Sequence, residues 1–469
     1  MIALESLSAC FQGLIPAWLC TCSKDGMPNV AILSHVDYVD SRHVALSFQF
    51  FNKSKKNVLE NPNALVRVWH PDTFQVYALR LRFVRSETEG PLFESMRLRI
   101  EAVASYSGLK GIFRLLGADI YEVLSIEALP HEVGLAGAPR ALEARPTADS
   151  PVPFTLKALQ LFSERLQQAK SLDELLDSVL ETLESIFGFR HSMILLTSEE
   201  PDRLELIASR GYPEGGVGSE VRFGEGIIGM VAEARKPIRI SGLLRQMLYA
   251  NAVAKRAQER GLCPEDRRIA LPGLVDPDSQ LGIPLLVRDE LIGVLCIESD
   301  RSYRFHEEDR AYLEVLGGYL AIAIQNALFA ERSDEPGDAA ATRAVAASPE
   351  HPPVATIAAG GRAALEVAYY QRDECVLVDG EYLVRSVPAK ILRKLLAEHR
   401  HDGRIEFTNR QLRLDASLGL PEWKDNLESR LILLRRRLAE RCPAIQLAPS
   451  GRGRFRLALD ADVRLTEHP

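Results

Sequence analysis

From Gly282 to Asn326 the apolar positions change period once. Ile283, Leu285 and Val287 alternate with Pro284, Leu286 and Arg288, an acidic break follows at Asp289-Glu290, and the apolar run resumes as LIGVLCIES. Two aliphatic runs around an acidic turn predict a hairpin covered on both faces. Leu313, Leu316, Leu320 and Ile324 then recur at steps of three and four, which predicts a helix. His306-Glu307-Glu308-Asp309 places acids at the positive end of its dipole. Upstream, SLDELLDSVLETLESIFG (Ser171 to Gly188) reads as an amphipathic helix, and Phe154 to Lys170 aligns Leu159, Phe162 and Leu166 on one helix face.

The first 130 residues carry the period of strands. AWLCTCSKDGMPNVAILSHV has two strand-like runs about an Asp25-Gly26 turn, and further runs follow at His43 to Phe51, Ala64 to His70 and Phe74 to Ser86. A small antiparallel β-barrel is the economical reading. Cys20 and Cys22 fall on one side of a strand and read as packed thiols. Beyond it the pattern gives an amphipathic helix with Arg97 and Arg99 as surface charges, a second short helix, and a returning strand at Tyr121 to Ile126.

Near the carboxyl terminus, CVLVDGEYLVRSVP predicts strand, Asp379-Gly380 turn and strand, and Pro388 opens a helix with Ile391, Leu392, Leu395 and Leu396 inward. Pro421 opens a longer helix whose stripe Trp423, Leu427, Leu431, Leu434 and Leu438 docks it. Its opposite side carries Asp425, Ser429, Ile432 and Arg436, flanked by Asn426, Leu433, Arg437, Arg435 and Lys424, so Ile432 and Leu433 are expected to be exposed. A hairpin follows, Ile445 to Leu447, PSGRG and RFRLAL, with Phe455 and Leu457 in and Arg454 and Arg456 out.

The chain has 469 residues, 46% hydrophobic and 26% charged, with a net charge of −7. That is ordinary globular composition and room for roughly three domains. Two stretches lack hydrophobic period, 131–153 and 333–365, and read as linkers between units at 1–130, 154–332 and 366–469. No apolar run suggests a membrane span, and the N-terminus lacks the basic start of a secretory signal, so the expected compartment is the cytoplasm, away from membranes. Seven cysteines at irregular spacing argue for reduced thiols rather than a disulfide framework. Charge is uneven: Asp402 to Arg456 holds twelve Lys or Arg against seven Asp or Glu.

Three family resemblances refine these expectations. Pro284-Leu285, Ile292-Gly293-Val294-Leu295, Phe305 to Asp309 and Ala321 to Ala327, with FGEGIIGMVAEARKPIRI upstream, resemble a GAF sensory domain over about residues 170–330. The resemblance implies a small-molecule pocket beside the variable segment, with Met247, Tyr249 and Cys263 as candidate pocket residues by position in the family. The segment lacks the Asn-Lys-Phe-Asp-Glu set linked to cyclic nucleotides and a Cys-His pair for a bilin. Cys263-Pro264 and Cys442-Pro443 resemble haem-responsive dipeptides, a motif too short to imply haem.

Asp25, Gly26, Pro28, Asn29, Lys53, Asn57, Asn61 and Pro62 resemble the pyridoxamine-phosphate-oxidase-like split barrel, which implies FMN as cofactor. Lys53, Asn57, Ser47 and Gln49 are its candidate ligands, with Lys55 and Lys56 as rival cations. No second arginine motif for an oxidase substrate is present, so binding is favoured over oxidation.

Leu434 to Leu438, Gly451, Gly453, Phe455, Arg456 and Leu457 resemble the winged-helix DNA-binding domain of response regulators. This implies contact with double-stranded DNA through Lys424, Ser429, Arg435, Arg436, Arg437, Arg452 and Arg454, while Asp425 and Glu428 oppose phosphate. The fold class expected is multidomain α+β: split β-barrel, GAF α/β sandwich, winged helix-turn-helix. The expected function is a ligand- or redox-responsive transcriptional regulator acting as a homodimer, rather than an enzyme. The rival readings are a flavin-dependent oxidoreductase with regulatory domains and a protein-interaction scaffold.

Overall fold

A computed structural model describes the chain except residues 1, 12–15, 34, 50–51, 71–72, 107–113, 131–154, 199, 214, 242–270, 275–276, 302–303, 334–363, 419, 421–426 and 452. The expected linker at 131–153 and the second short helix before Tyr121 fall wholly or largely outside the described residues.

In the N-terminal domain a 3-10 helix, Leu4–Phe11, precedes β1 (Ala17–Cys22), β2 (Pro28–Leu33), β3 (Val36–Asp40), β4 (His43–Phe48), α1 (Asn52–Glu60), β5 (Asn63–Trp69), β6 (Val76–Glu87), α2 (Pro91–Tyr106) and β7 (Gly117–Ala128). The strands form one seven-stranded sheet, β2-β1-β5-β6-β7-β4-β3, antiparallel throughout. Alternation puts Leu19, Leu46, Leu79 and Leu81 on its inner side, where Leu7 of the 3-10 helix joins them.

The middle domain follows: α3 (Leu156–Gln168), α4 (Leu172–Ser185), β8 (His191–Thr197), β9 (Arg203–Arg210), β10 (Glu220–Arg222), α5 (Gly226–Ala234), β11 (Ile238–Ser241), β12 (Ser279–Val287), β13 (Glu290–Ser299) and α6 (Glu307–Ser333). The expected hairpin is β12–β13, antiparallel. Side-chain caps start both leading helices: Thr155 accepts from the Ala158 N–H and Ser171 from the Glu174 N–H. The six-stranded sheet runs β10-β9-β8-β13-β12-β11 and has a core on each face. On one face α3, α4 and α6 cover Ile194, Ile283, Leu295 and Ile297; on the other α5 covers Met193, Leu206, Val294 and Cys296. Gly229 lets α5 close on the preceding turn, since a Cβ there would meet the Arg222 carbonyl oxygen at 2.1 Å. By length and apolar content α6 could cross a membrane, but its Leu313, Leu316, Leu320 and Ile324 are packed into this core.

The C-terminal domain comprises β14 (Ala364–Tyr370), β15 (Cys375–Val378), β16 (Glu381–Arg385), α7 (Ser386–Asp402), β17 (Glu406–Thr408), α8 (Asn409–Arg413), α9 (Leu427–Arg441), β18 (Ile445–Gly451), β19 (Arg454–Leu459) and β20 (Asp462–His468). The two strands expected at its start sit in a four-stranded sheet, β16-β15-β14-β20, in which the last pair is parallel; β18 and β19 form the expected hairpin, joined by β17. Pro388 lies two residues inside α7 rather than at its first position.

Two expectations are corrected. Ile432 and Leu433 are buried, at 0% and 4% exposure, because α9 has a second partner besides its own domain. Exposing two such side chains would forfeit about 1.5–3 kcal/mol each. Arg99 is not a free surface charge: its guanidinium donates to Asp37 at 2.7 Å, and both side chains are largely covered. Arg97 bridges Glu94 and Glu101 on its own helix.

Candidate functional site

The α5 face of the middle sheet brings polar groups together over an apolar floor. Alternation along β13 puts Cys296 and Glu298 on this face; Glu298 pairs across the sheet with Gln280 on β12 and His191 on β8. The Glu298 carboxylate accepts from the Leu274 N–H at 3.1 Å and from the Gln280 amide. Burial pushes its carboxyl above the usual range, against the pull of those hydrogen bonds. Tyr212 lies beside it, its phenol pushed up by burial and then by the Glu298 charge, with its ring 5.6 Å from that of His191. Burial lowers the His191 imidazole.

Cys296 is fully buried and its thiol is raised well above the ordinary value, first by burial and then by Glu298, so it is a poor nucleophile. A carboxyl, a carboxamide and a phenol over Met193 and Val294 suit reversible recognition of a small polar molecule better than covalent chemistry. Met247, Tyr249 and Cys263 lie outside the described residues, between Ser241 and Leu271. Sequence reasoning passed over Glu298, Gln280 and Tyr212. The spacing of Cys296 and Glu298 within LCIES was the available signal, because an acid two residues from a core thiol must share its face.

The candidate flavin ligands differ in burial and in what they already bond. Ser47, Gln49 and Asn57 are buried, whereas Lys53 is exposed on α1. The Asn57 amide donates to Thr21 Oγ1 at 3.1 Å, and the Ser47 hydroxyl to the His35 carbonyl at 3.4 Å. The rival Lys55 is committed inside, donating to Asp119 at 2.5 Å and to Ser86, with its ammonium 4.8 Å from the Phe83 ring centroid. Among the described residues no group of acids, histidines and cysteines could hold a metal ion.

The basic helix is engaged by the middle domain. Leu427, Leu431, Leu434 and Leu438 face their own domain, as the stripe predicts. The opposite side, on which Ser429, Leu433, Arg436 and Glu440 recur at helical spacing, meets α4 and β9. Arg436 donates to Asp173 at 2.9 Å through Nε and to Asp177 at 2.6 Å. Arg430, 3% exposed at its side chain, pairs with Glu205. Arg385, at the end of β16, pairs with Glu220 and lies 3.6 Å from Glu200. Gly215 faces the Glu440 carboxylate so closely that a Cβ would meet its oxygen at 2.0 Å.

Of the residues expected on DNA, Ser429 and Arg437 are buried, and Arg437 donates to the Leu383 carbonyl at 3.0 Å. Arg435 lies 3.5 Å from Glu428, Arg454 is exposed on the hairpin, and Lys424 and Arg452 lie outside the described residues. Beyond the closed part of this seam a cleft of about 1470 Å³ opens, lined by Lys170, Tyr319, Ile322, Arg410, Arg435 and Arg454.

A family model described as GAF domain matches residues 169–325, which contain the whole two-faced sheet and most of α6. Among solved structures, the GAF domain from an Acinetobacter phosphoenolpyruvate-protein phosphotransferase is similar at 23% identity over 39% of this chain and 97% of that one, with a TM-score of 0.29. The corresponding domain from Coxiella burnetii is similar at 26% identity over 37% and 93%, with a TM-score of 0.30. An FMN-binding protein from Syntrophomonas wolfei is similar at 15% identity over 27% and 88%, with a TM-score of 0.23. No curated protein matches. The middle of this multidomain α/β chain, residues 169–325, is a GAF domain.

Proposed function

We propose that this protein is a cytoplasmic, ligand-responsive transcriptional regulator: the GAF domain takes a small polar molecule against Glu298, Gln280 and Tyr212, and the C-terminal domain, read as a winged helix, binds double-stranded DNA. One observation carries the DNA half. The side of α9 opposite its leucine stripe bears Ser429 and Arg436, with Arg430 beside them, next to a hairpin whose Arg454 and Arg456 are exposed. A helix with arginines on its second side and a basic hairpin alongside suits a major groove and its flanking phosphates. A homodimer is supported by the exposed stripe Val315, Tyr319, Ile322 and Phe329 along α6, spaced for helix pairing. The N-terminal domain, read as a split barrel, is a second input.

Binding to a labelled duplex, followed by fluorescence anisotropy as salt is raised, tests this reading. Affinity should fall steeply with salt, with a slope that Arg454→Ala and Arg456→Ala each reduce by about 1. No retention of any duplex at low salt, whether by wild type or by a chain with Asp173, Asp177 and Glu220 neutralised, or retention indifferent to salt, overturns it.

A further inference from the structure

Of the residues read as DNA-facing, Arg436 is occupied by carboxylates of the GAF domain, and Arg430 on the same helix and Arg385 at the end of β16 are held in the same way. Asp173 and Asp177 of α4 meet Arg436, Glu205 of β9 meets Arg430, and Glu220 of β10 meets Arg385. A carboxylate offers arginine the same planar pair of oxygens that a phosphate does. The side chains involved are mostly sheltered: Arg430 is 3% exposed, Glu205 13% and Glu220 12%. Leu433 is buried between the arginine positions of the same helix side.

We propose that the GAF domain is the competing ligand of the DNA-reading helix: its acidic wall stands in for the phosphate backbone and holds the chain in a closed, DNA-refusing arrangement. This rests on the reading given under Proposed function and adds its control. The hairpin is left out of the closure, since Arg454 is exposed and borders the open cleft. The closed protein can therefore touch a duplex with its hairpin but cannot seat α9.

The strands that bear the wall also line the sensory face. On β9, Leu204 and Leu206 belong to the α5-side core while Glu205, between them, points the other way to Arg430. On β10, Val221 is in that same core and its neighbour Glu220, paired across the sheet with Glu205, reaches Arg385. A molecule that shifts Leu206 or Val221 from the sensory side moves Glu205 and Glu220, which share their strands, against Arg430 and Arg385. Release follows from a difference in affinity between closed and open arrangements, as any ligand-driven shift requires.

The test uses the full chain and a fluorescein-labelled random-sequence duplex at low salt. Wild type and the variant Asp173→Asn/Asp177→Asn/Glu220→Gln are compared, because neutralising the wall leaves every arginine in place. The variant should bind at least roughly tenfold more tightly, about 1.4 kcal/mol. Arg436→Ala placed in the variant should remove most of that gain. Equal affinities for wild type and variant overturn the closure while leaving DNA binding itself intact. Absence of binding by both overturns DNA binding and the closure together. A readout independent of any substitution is amide hydrogen exchange in wild type: saturating duplex should speed exchange across Leu172–Ser185 as the helix leaves α4. Unchanged exchange in the duplex-bound protein sinks the competition.

Discussion

The GAF domain is gripped on two sides, by apolar contact through α2 and, on the C-terminal side, by arginine–carboxylate pairs set around an apolar core continuous with its own. On the N-terminal side, Leu98 and Ala102 of α2 enter the apolar core shared by α5 and β11. On the C-terminal side, Arg385, Arg430 and Arg436 meet carboxylates, with Ile432 and Leu433 buried on the same helix as the last two. Apolar contact is non-directional and is not weakened by charge screening, so the first seam suits a fixed mount. Charged contact is screened by salt and can be exchanged for another polyanion, so the second suits a movable one. One domain thus has a seam built to stay and a seam built to be competed for.

The largest expected effect is at the charged seam. Arg430→Ala leaves the covered Glu205 carboxylate without its cation, with the Ser198 hydroxyl still donating to it at 2.8 Å, and should cost about 3 kcal/mol in denaturant unfolding of the full chain. A loss below about 1 kcal/mol would show that the pair behaves as a solvated surface contact, and the contrast between the seams would collapse.

Next comes acid, which should act through the N-terminal domain. His35 is buried, and that burial, then the nearby Arg99 charge, push its imidazole down from 6.5 to about 4, against Asp37. The folded state therefore binds fewer protons than the unfolded chain between those values. Its contribution is whole above pH 6.5 and is lost as pH falls toward about 4, by up to roughly 3 kcal/mol. Urea midpoints measured across that window should fall in wild type and fall less in His35→Gln. Parallel curves would remove His35 from the account.

The smallest effect sharpens the contrast directly. Leu98→Ala should cost about 2 kcal/mol through the cavity it leaves. That cost should not shrink as salt rises, whereas the cost of Arg430→Ala should. Equal salt dependence at both sites would mean that the seams do not differ in kind.

Much of the fold was legible because it rests on local period. Leu313, Leu316, Leu320 and Ile324 announced α6, the break at Asp289-Glu290 announced the β12–β13 turn, and the leucines from Leu427 to Leu438 announced the docking side of α9. The candidate site was legible only in part. Glu298 was visible beside Cys296, but Gln280 and Tyr212 reach it from other parts of the chain, and no spacing brings them together. Arg99 misled for the same reason: its partner Asp37 is distant in sequence.

The sequence by itself determined many of the helices and strands, the docking stripe of α6 and of α9, and where a GAF domain lies. Those follow from periods of two and 3.6 residues, which each segment carries whatever its neighbours. Only the tertiary structure decided what Ile432, Leu433 and the arginines of α9 face. A helix with apolar and basic residues on its second side can be satisfied by a groove in DNA or by an acidic, partly apolar wall. That choice belongs to the surface brought against it, and here Asp173, Asp177, Glu205 and Glu220 supply that surface.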